Sequence, residues 1–324
     1  MRMAVIGAGG VGGYYGARWL AAGNSVTFVA RGRHLEQLGA HGLHVEHPQF
    51  RYRGAVHACD LDGLCAGDPG EFDLLVLAVK SAATHTIGAT LDDWFHRCGR
   101  RVPVLSMQNG VDNEAELAAA LGQDAVIGGL ALRVGTHVEA PGRITASGAG
   151  QVVTGPWPNR EEAVAGPATD ILPAFVQAAD AAGTPVIETG DIRRELWRKL
   201  VINNGLNPIS ALTGWDSRRL TRNSDTVATI RRLMHEAAAA ARADRVMLDG
   251  TDVDEMFQLI HDLDPIKTSM LVDREHGRPM ELDAICGAVM ARTRQLGEDA
   301  PATELLSGFL RNGIWSTEPD RDDA

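Results

Sequence analysis

Three observations predict an α/β protein with an N-terminal Rossmann-like doubly wound sheet followed by an all-helical C-terminal domain. A short apolar run leads straight into a glycine-rich turn and a helical pattern; further apolar runs then alternate with helical stretches; and beyond Asp191 no convincing strand pattern remains. The first run, residues 2–6, meets Gly7-Ala8-Gly9-Gly10-Val11-Gly12-Gly13. The helical pattern runs through Tyr14, Ala17 and Leu20 and stops at Gly23-Asn24, a favourable C-terminal pair. Residues 25–29 read as a second strand, which closes a βαβ unit.

Residues 74–79, 102–106 and 125–127 read as buried strands, with helical stretches near 84–95 and 112–121 between them. Apolar strands alternating with helices imply a parallel sheet covered on both faces. From about 133 to 155, β-branched residues and glycines recur at 137–138, 143–145 and 151–154, the texture of an antiparallel extension of the sheet. Residues 160–188 supply one more helix and a strand at 185–187. Segments 191–206, 222–246, 251–262, 279–295 and 302–313 are rich in Ala, Leu, Met and Arg and read as helices. The expected domains are therefore 1–190 and 191–316, with 317–324 a frayed acidic tail.

With 44% hydrophobic and 23% charged residues over 324 positions, the chain can bury a sizeable core, which excludes a disordered protein. A net charge of −11 argues against a nucleic-acid or anionic-membrane binder. No apolar run approaches the ~18 residues a membrane span needs, and glycines from Gly7 onward interrupt any signal-peptide core. Cys59, Cys65, Cys98 and Cys286 are too few and too irregularly spaced for a disulfide scaffold or a zinc ribbon. The expectation is a cytoplasmic protein acting on a small molecule, without nucleic acid, membrane or metal; its assembly is left open, a homodimer included. His41, His44, Glu46 and His47 suggest a metal cluster only at first sight, because alternate residues of an exposed hairpin point to opposite faces.

Gly7-x-Gly9-x-x-Gly12 sits directly after a strand and opens a helix, the context in which this pattern binds a dinucleotide. Gly7 permits the tight turn, Gly9 lets backbone approach a pyrophosphate, and Gly12 allows close helix–strand packing, while the helix N-terminus offers N–H groups to phosphate. Gly7, Ala8, Gly9, Gly10, Val11 and Gly12 are the expected phosphate-binding residues. An NAD site wants an acidic residue at the end of the second strand, yet residues 1–35 contain neither Asp nor Glu. Arg31 stands there instead, and its guanidinium suits a 2′-phosphate, so NADPH is the expected cofactor. Lys80 and Asn109 follow predicted parallel strands at their carboxyl ends, where open α/β sheets bind ligands.

Lys199, Asn203 and Asn207 recur at i, i+4 and i+8, so they share one helical face. Two asparagines in line with a lysine make a poor core pattern and a poor helix. Pro208 should kink or end that helix. Farther on, Ser269-Met270-Leu271 precedes a turn at Gly277 and a helix start at Pro279, with Glu281 in the first turn.

These residues resemble the ketopantoate reductase (2-dehydropantoate 2-reductase) family of pantothenate biosynthesis. The resemblance spans nearly the whole chain: the glycine turn with Arg31, Lys80, Gln108-Asn109-Gly110, Lys199-x-x-x-Asn203-x-x-x-Asn207-Pro208, and Ser-Met-Leu followed at a 12-residue gap by Glu281-Leu282-Asp283. It implies NADPH-dependent reduction of a 2-oxo acid, with the site in a cleft between a Rossmann domain and a helical domain. Lys199 would be the proton donor, and Asn203, Asn207 and Ser269 would hold substrate. Asn109 would lie beside nicotinamide and substrate, and Glu281 would contact substrate or the cofactor ribose. Ser217 departs from the pattern, standing where a further substrate-binding asparagine is expected.

The chemistry is consistent with the residues taken alone: a positioned ammonium can stabilise charge growing on a carbonyl oxygen and then deliver a proton. Two other readings remain beside it. A D-2-hydroxyacid dehydrogenase could use the same constellation for another branched or aromatic 2-oxo acid. A non-catalytic NADPH sensor would have no use for the lysine and the glutamate.

Overall fold

The computed structural model describes residues 1–262 and 265–316; the acidic tail lies outside the described residues. The chain forms two compact units, one of residues 1–108 and 113–193, the other of 109–112 and 194 onward.

The first unit is built on one ten-stranded sheet. Strand β1 (Arg2–Ile6) is third from one edge, parallel to β2 (Ser25–Val29) on one side and to β6 (Leu74–Leu77) on the other. β5 (His57–Cys59) extends the β2 side; β7 (Val104–Ser106) and β8 (Val126–Ala140) extend the β6 side, all in parallel. β9 (Arg143–Pro156) then returns antiparallel to β8 and pairs with β3 (Leu43–His47), which carries the hairpin partner β4 (Phe50–Gly54). β10 (Val186–Glu188) joins β9 in parallel. Every residue of β6 is buried, as a strand covered on both faces requires.

Helix α1 (Gly10–Ala21) packs an almost wholly buried face on this sheet. Tyr15 stacks on Trp19, whose ring meets Phe175 of α6 (Pro167–Ala181) edge-on. These rings join Val5, Phe28, Val76 and Ile127 in the core, each side chain contributing about 1.5–3 kcal/mol. The helix ends where the sequence places its cap: Gly23 takes φ +89°, and the N–H of Asn24 returns to the Trp19 carbonyl. α2 (Gly32–His41), α3 (Leu61–Cys65), α4 (Thr84–Cys98) and α5 (Asn113–Leu121) complete the connections.

One strand is longer than its pattern suggests. The buried run at 125–127 and the antiparallel texture from 133 onward belong to the single strand β8. Register shifts between Leu132 and Val134 and between Val138 and Ala140, with Arg133 at φ +51°, break the alternation by which a strand is read.

The second unit is helical. α7 (Ile192–Thr213) opens it, followed by α8 (Ser217–Arg222), α9 (Ser224–Ala240), α10 (Gly250–Asp262), α11 (Ser269–Glu275), α12 (Ala288–Gln295) and α13 (Pro301–Arg311). One local expectation is narrowed and one corrected. α7 does not end at Pro208 but continues for another turn, because Ile209, Ser210 and Ala211 are buried and tertiary packing outweighs the lost hydrogen bond. The helix expected from Pro279 begins only at Leu282. Glu281 is the residue before it, its carbonyl accepting from the Ile285 N–H, and a π-turn over Asp283–Gly287 leads into α12. Among the described residues, no helix is long and apolar enough to cross a membrane.

Candidate active site

In the first unit, the turn after β1 is made by what its glycines lack. Gly7 takes φ +103°, and a Cβ there would lie 2.8 Å from the Ala78 backbone. A Cβ on Gly12 would fall 2.2 Å from the Gly7 carbonyl oxygen, so the helix can sit this close to the strand only without a side chain. Around Gly9 the opposite holds: a Cβ there would meet nothing within 4 Å, which leaves open the side from which a phosphate would approach. The N–H groups of Gly7 and Ala8 both donate to the Val29 carbonyl, which locks the turn to β2. The first turn of α1 carries no acidic residue to compete with an anion. A Cβ on Gly10 would lie 2.7 Å from the Thr136 hydroxyl, so β8 flanks the turn, a neighbour that local sequence does not announce. This cradle fits a dinucleotide pyrophosphate.

Arg31 is exposed one residue after Ala30 and occupies the N-cap position of α2 in extended backbone, with Arg33 exposed beside it. Both can reach a phosphate in solvent. His34, on the first turn of α2, accepts the Gly142 N–H at Nδ1. Burial lowers its pKa, partly offset by the Ala8 carbonyl. It was not among the residues expected to matter, and its ring ties α2 to the connection between β8 and β9. Lys80 is exposed after β6 and leads a short 3₁₀ turn, Ser81–Ala83. Gln108 points inward: its amide donates to Thr84 Oγ1 at 2.8 Å, and Thr84 donates to Asn113 Oδ1 at the same distance.

In the second unit, α7 carries Lys199 and Asn203, both half-buried, and Asn207, only 5% exposed. Asn204 spends its Nδ2 within the fold, donating to the Leu233 carbonyl and to Thr303 Oγ1. Asn207 differs: its buried Nδ2 has no hydrogen-bond partner. A donor left so costs about 1–3 kcal/mol, and it shares the helical face of Lys199. The Asn109 amide donates to Glu281 Oε2 at 3.0 Å, so these two expected site residues, far apart in sequence, are brought together. This engagement of the Glu281 carboxylate accompanies its placement ahead of the helix.

Ser269 is exposed at the start of α11, just after Thr268, whose hydroxyl caps that helix. Ser217 is 1% exposed; its Oγ accepts the Ile266 N–H and its own N–H donates to the Ile266 carbonyl, both at 3.0 Å. Its hydroxyl is thus a clip on the neighbouring segment. On β3, His47 is buried with Nε2 2.7 Å from the Gly148 carbonyl, a structural role. No group of three or more potential metal-binding side chains occurs among the described residues.

Residues 3–159 match the model of the family described as ketopantoate reductase PanE/ApbA, and residues 191–313 match that of its C-terminal part. The 2-dehydropantoate 2-reductase of Mesorhizobium japonicum is 32% identical, the alignment covering 96% of this chain and 97% of the relative. A PanE/ApbA family ketopantoate reductase from Ralstonia eutropha JMP134 superposes with a TM-score of 0.82 at 28% identity, over 96% of this chain and 98% of the other. D-mandelate dehydrogenase, solved with NADH and anilino(oxo)acetate, shares the fold with a TM-score of 0.84 at 19% identity, over 97% and 98% of the two chains.

Proposed function

The chain belongs to the ketopantoate reductase family, and from that premise we propose that it reduces 2-dehydropantoate to (R)-pantoate with NADPH, a step of pantothenate biosynthesis. The observation that carries this reading is the unpartnered, buried Nδ2 of Asn207 on the helical face that also bears Lys199 and Asn203. A polar substrate would satisfy that donor.

The glycine turn would hold the pyrophosphate and Arg31 the 2′-phosphate, while Lys80 adds positive charge at the carboxyl edge of the sheet. Bound NADPH supplies the hydride that reduces the C2 ketone. Lys199 stabilises the negative charge developing on the ketone oxygen and delivers a proton to it from Nζ. Asn203 and Asn207 orient the 2-oxo acid with neutral donors, so they do not compete with the lysine for charge. Ser269 supplies a further hydroxyl to the substrate. Glu281 fixes the Asn109 amide through their hydrogen bond and holds it toward nicotinamide and substrate.

Ser217 favours a second reading. Its side chain is 1% exposed and its Oγ accepts the Ile266 N–H, so it does not replace the longer amide of an asparagine, and the site would suit a less polar branched or aromatic 2-oxo acid. The deciding experiment measures oxidation of NADPH, and of NADH in parallel, with 2-dehydropantoate beside a panel of such acids. The highest kcat/KM is expected for 2-dehydropantoate with NADPH. A higher value for an aromatic acid would move the assignment to a D-2-hydroxyacid dehydrogenase, and no turnover of any 2-oxo acid would overturn both.

A further inference from the structure

The helical unit contains a half-buried ionic network that links the segments bearing Asn109, Lys199 and Glu281, although none of its own members is an expected reactive group. Arg292 of α12, with 16% of its side chain exposed, donates to Asp112 at 2.5 Å from one guanidinium nitrogen. Its Nε lies 3.2 Å from Asp244 Oδ2, and that same oxygen accepts the indole N–H of Trp197 at 3.1 Å. Asp112 closes the turn that begins with Asn109. Trp197 is fully buried on α7, two residues before Lys199. α12 follows Glu281 through the π-turn.

Burial works against the charge of Arg292, yet the hydrogen bond to Asp112 and the charges of Asp112 and Asp244 outweigh it and raise its pKa. The guanidinium is therefore charged, and its planar fork fixes the angle between two carboxylates on different segments. An ammonium would act as a point charge and could not impose that angle. We propose that Arg292 is a positioning residue that, through Asp112 and through Asp244 with Trp197, sets the Asn109 turn against the helix carrying Lys199.

This inference rests on the catalytic reading above, and its test separates the two. Arg292→Lys and Asp112→Asn are compared with wild type by amide hydrogen exchange over 107–113, by kcat with the best 2-oxo acid, and by NADPH affinity from nucleotide fluorescence. Loss of a charged hydrogen bond should speed exchange in the turn about tenfold or more. Misplacing reacting groups should lower kcat about 10- to 100-fold for Arg292→Lys, less for Asp112→Asn, with NADPH affinity within about twofold of wild type. A lysine that restores both kcat and protection would show that only charge was needed and would overturn the proposal. So would faster exchange with unchanged kcat, or lost kcat with unchanged exchange. If wild type turns over no 2-oxo acid, the catalytic reading falls by itself. Exchange then decides for Arg292: unchanged protection in both variants overturns its positioning role, and lost protection in both supports it.

Discussion

The two units prepare for their ligands in opposite ways. The turn after β1 is made of backbone, and the residues that shape it are neighbours in sequence: Gly7 and Gly12 leave no room for a Cβ, while the space around Gly9 is open. The helical unit works with side chains drawn from distant segments, with Asn109 meeting Glu281 and Asp112 meeting Arg292. Backbone sites tolerate almost no substitution but need little support, whereas side-chain sites depend on whatever holds each side chain in place. Cofactor binding and chemistry should therefore separate under mutation.

The largest effect expected is on the helical side. Lys199→Ala should cut kcat by orders of magnitude, about 100-fold or more, while NADPH affinity measured by fluorescence stays close to wild type. A variant retaining more than about a tenth of wild-type kcat would remove the lysine from the proton-transfer role, because a lost general acid costs more than that.

Next in size is a test of the sheet side. Arg31→Asp should raise the KM for NADPH about 10- to 100-fold, as expected for losing a charged hydrogen bond, and leave that for NADH far less changed. Equal changes for both nucleotides would show that Arg31 does not read the 2′-phosphate.

Asn207→Leu sharpens the contrast, since it should move stability and function in opposite directions. Removing an unpartnered buried donor is expected to stabilise the protein by about 1–3 kcal/mol, read as a higher urea midpoint, while KM for the 2-oxo acid rises. A variant less stable than wild type would mean that Asn207 is satisfied within the fold.

The smallest effect concerns His34. Burial lowers its folded pKa below the ordinary 6.5, so the unfolded chain binds the proton more readily. Its contribution to stability is intact above about pH 6.5 and is lost as pH falls through that value toward the folded pKa. The fall in Tm between pH 7.5 and 5.5, spanning the ordinary histidine pKa, should be shallower in His34→Gln; an unchanged slope would show that other groups set it.

What was legible in the sequence follows the same division. The βαβ unit, the cap at Gly23 and the close packing at Gly12 follow from steric rules acting within a few residues. The face shared by Lys199, Asn203 and Asn207 follows from helical periodicity alone. Pro279 misled, and of the kink or end expected at Pro208 the end does not occur, because both signals are local and packing sets the outcome: buried residues carry α7 past Pro208, and Glu281 remains ahead of its helix with its carboxylate bound to Asn109. β8 was divided at Arg133 because a bulge erases alternation without breaking the strand. Arg292, Asp112 and Asp244 carry no pattern at all, since nothing in spacing ties together three charges separated by most of the chain.

The clip at Ser217 bears on any attempt to retarget this protein. Replacing that serine by a larger polar residue, to give the ligand a new anchor, would sacrifice the bond its hydroxyl oxygen accepts from the Ile266 N–H and crowd a position that is 1% exposed. Selectivity is better re-engineered from the exposed start of α11, where a changed side chain disturbs no interior partner.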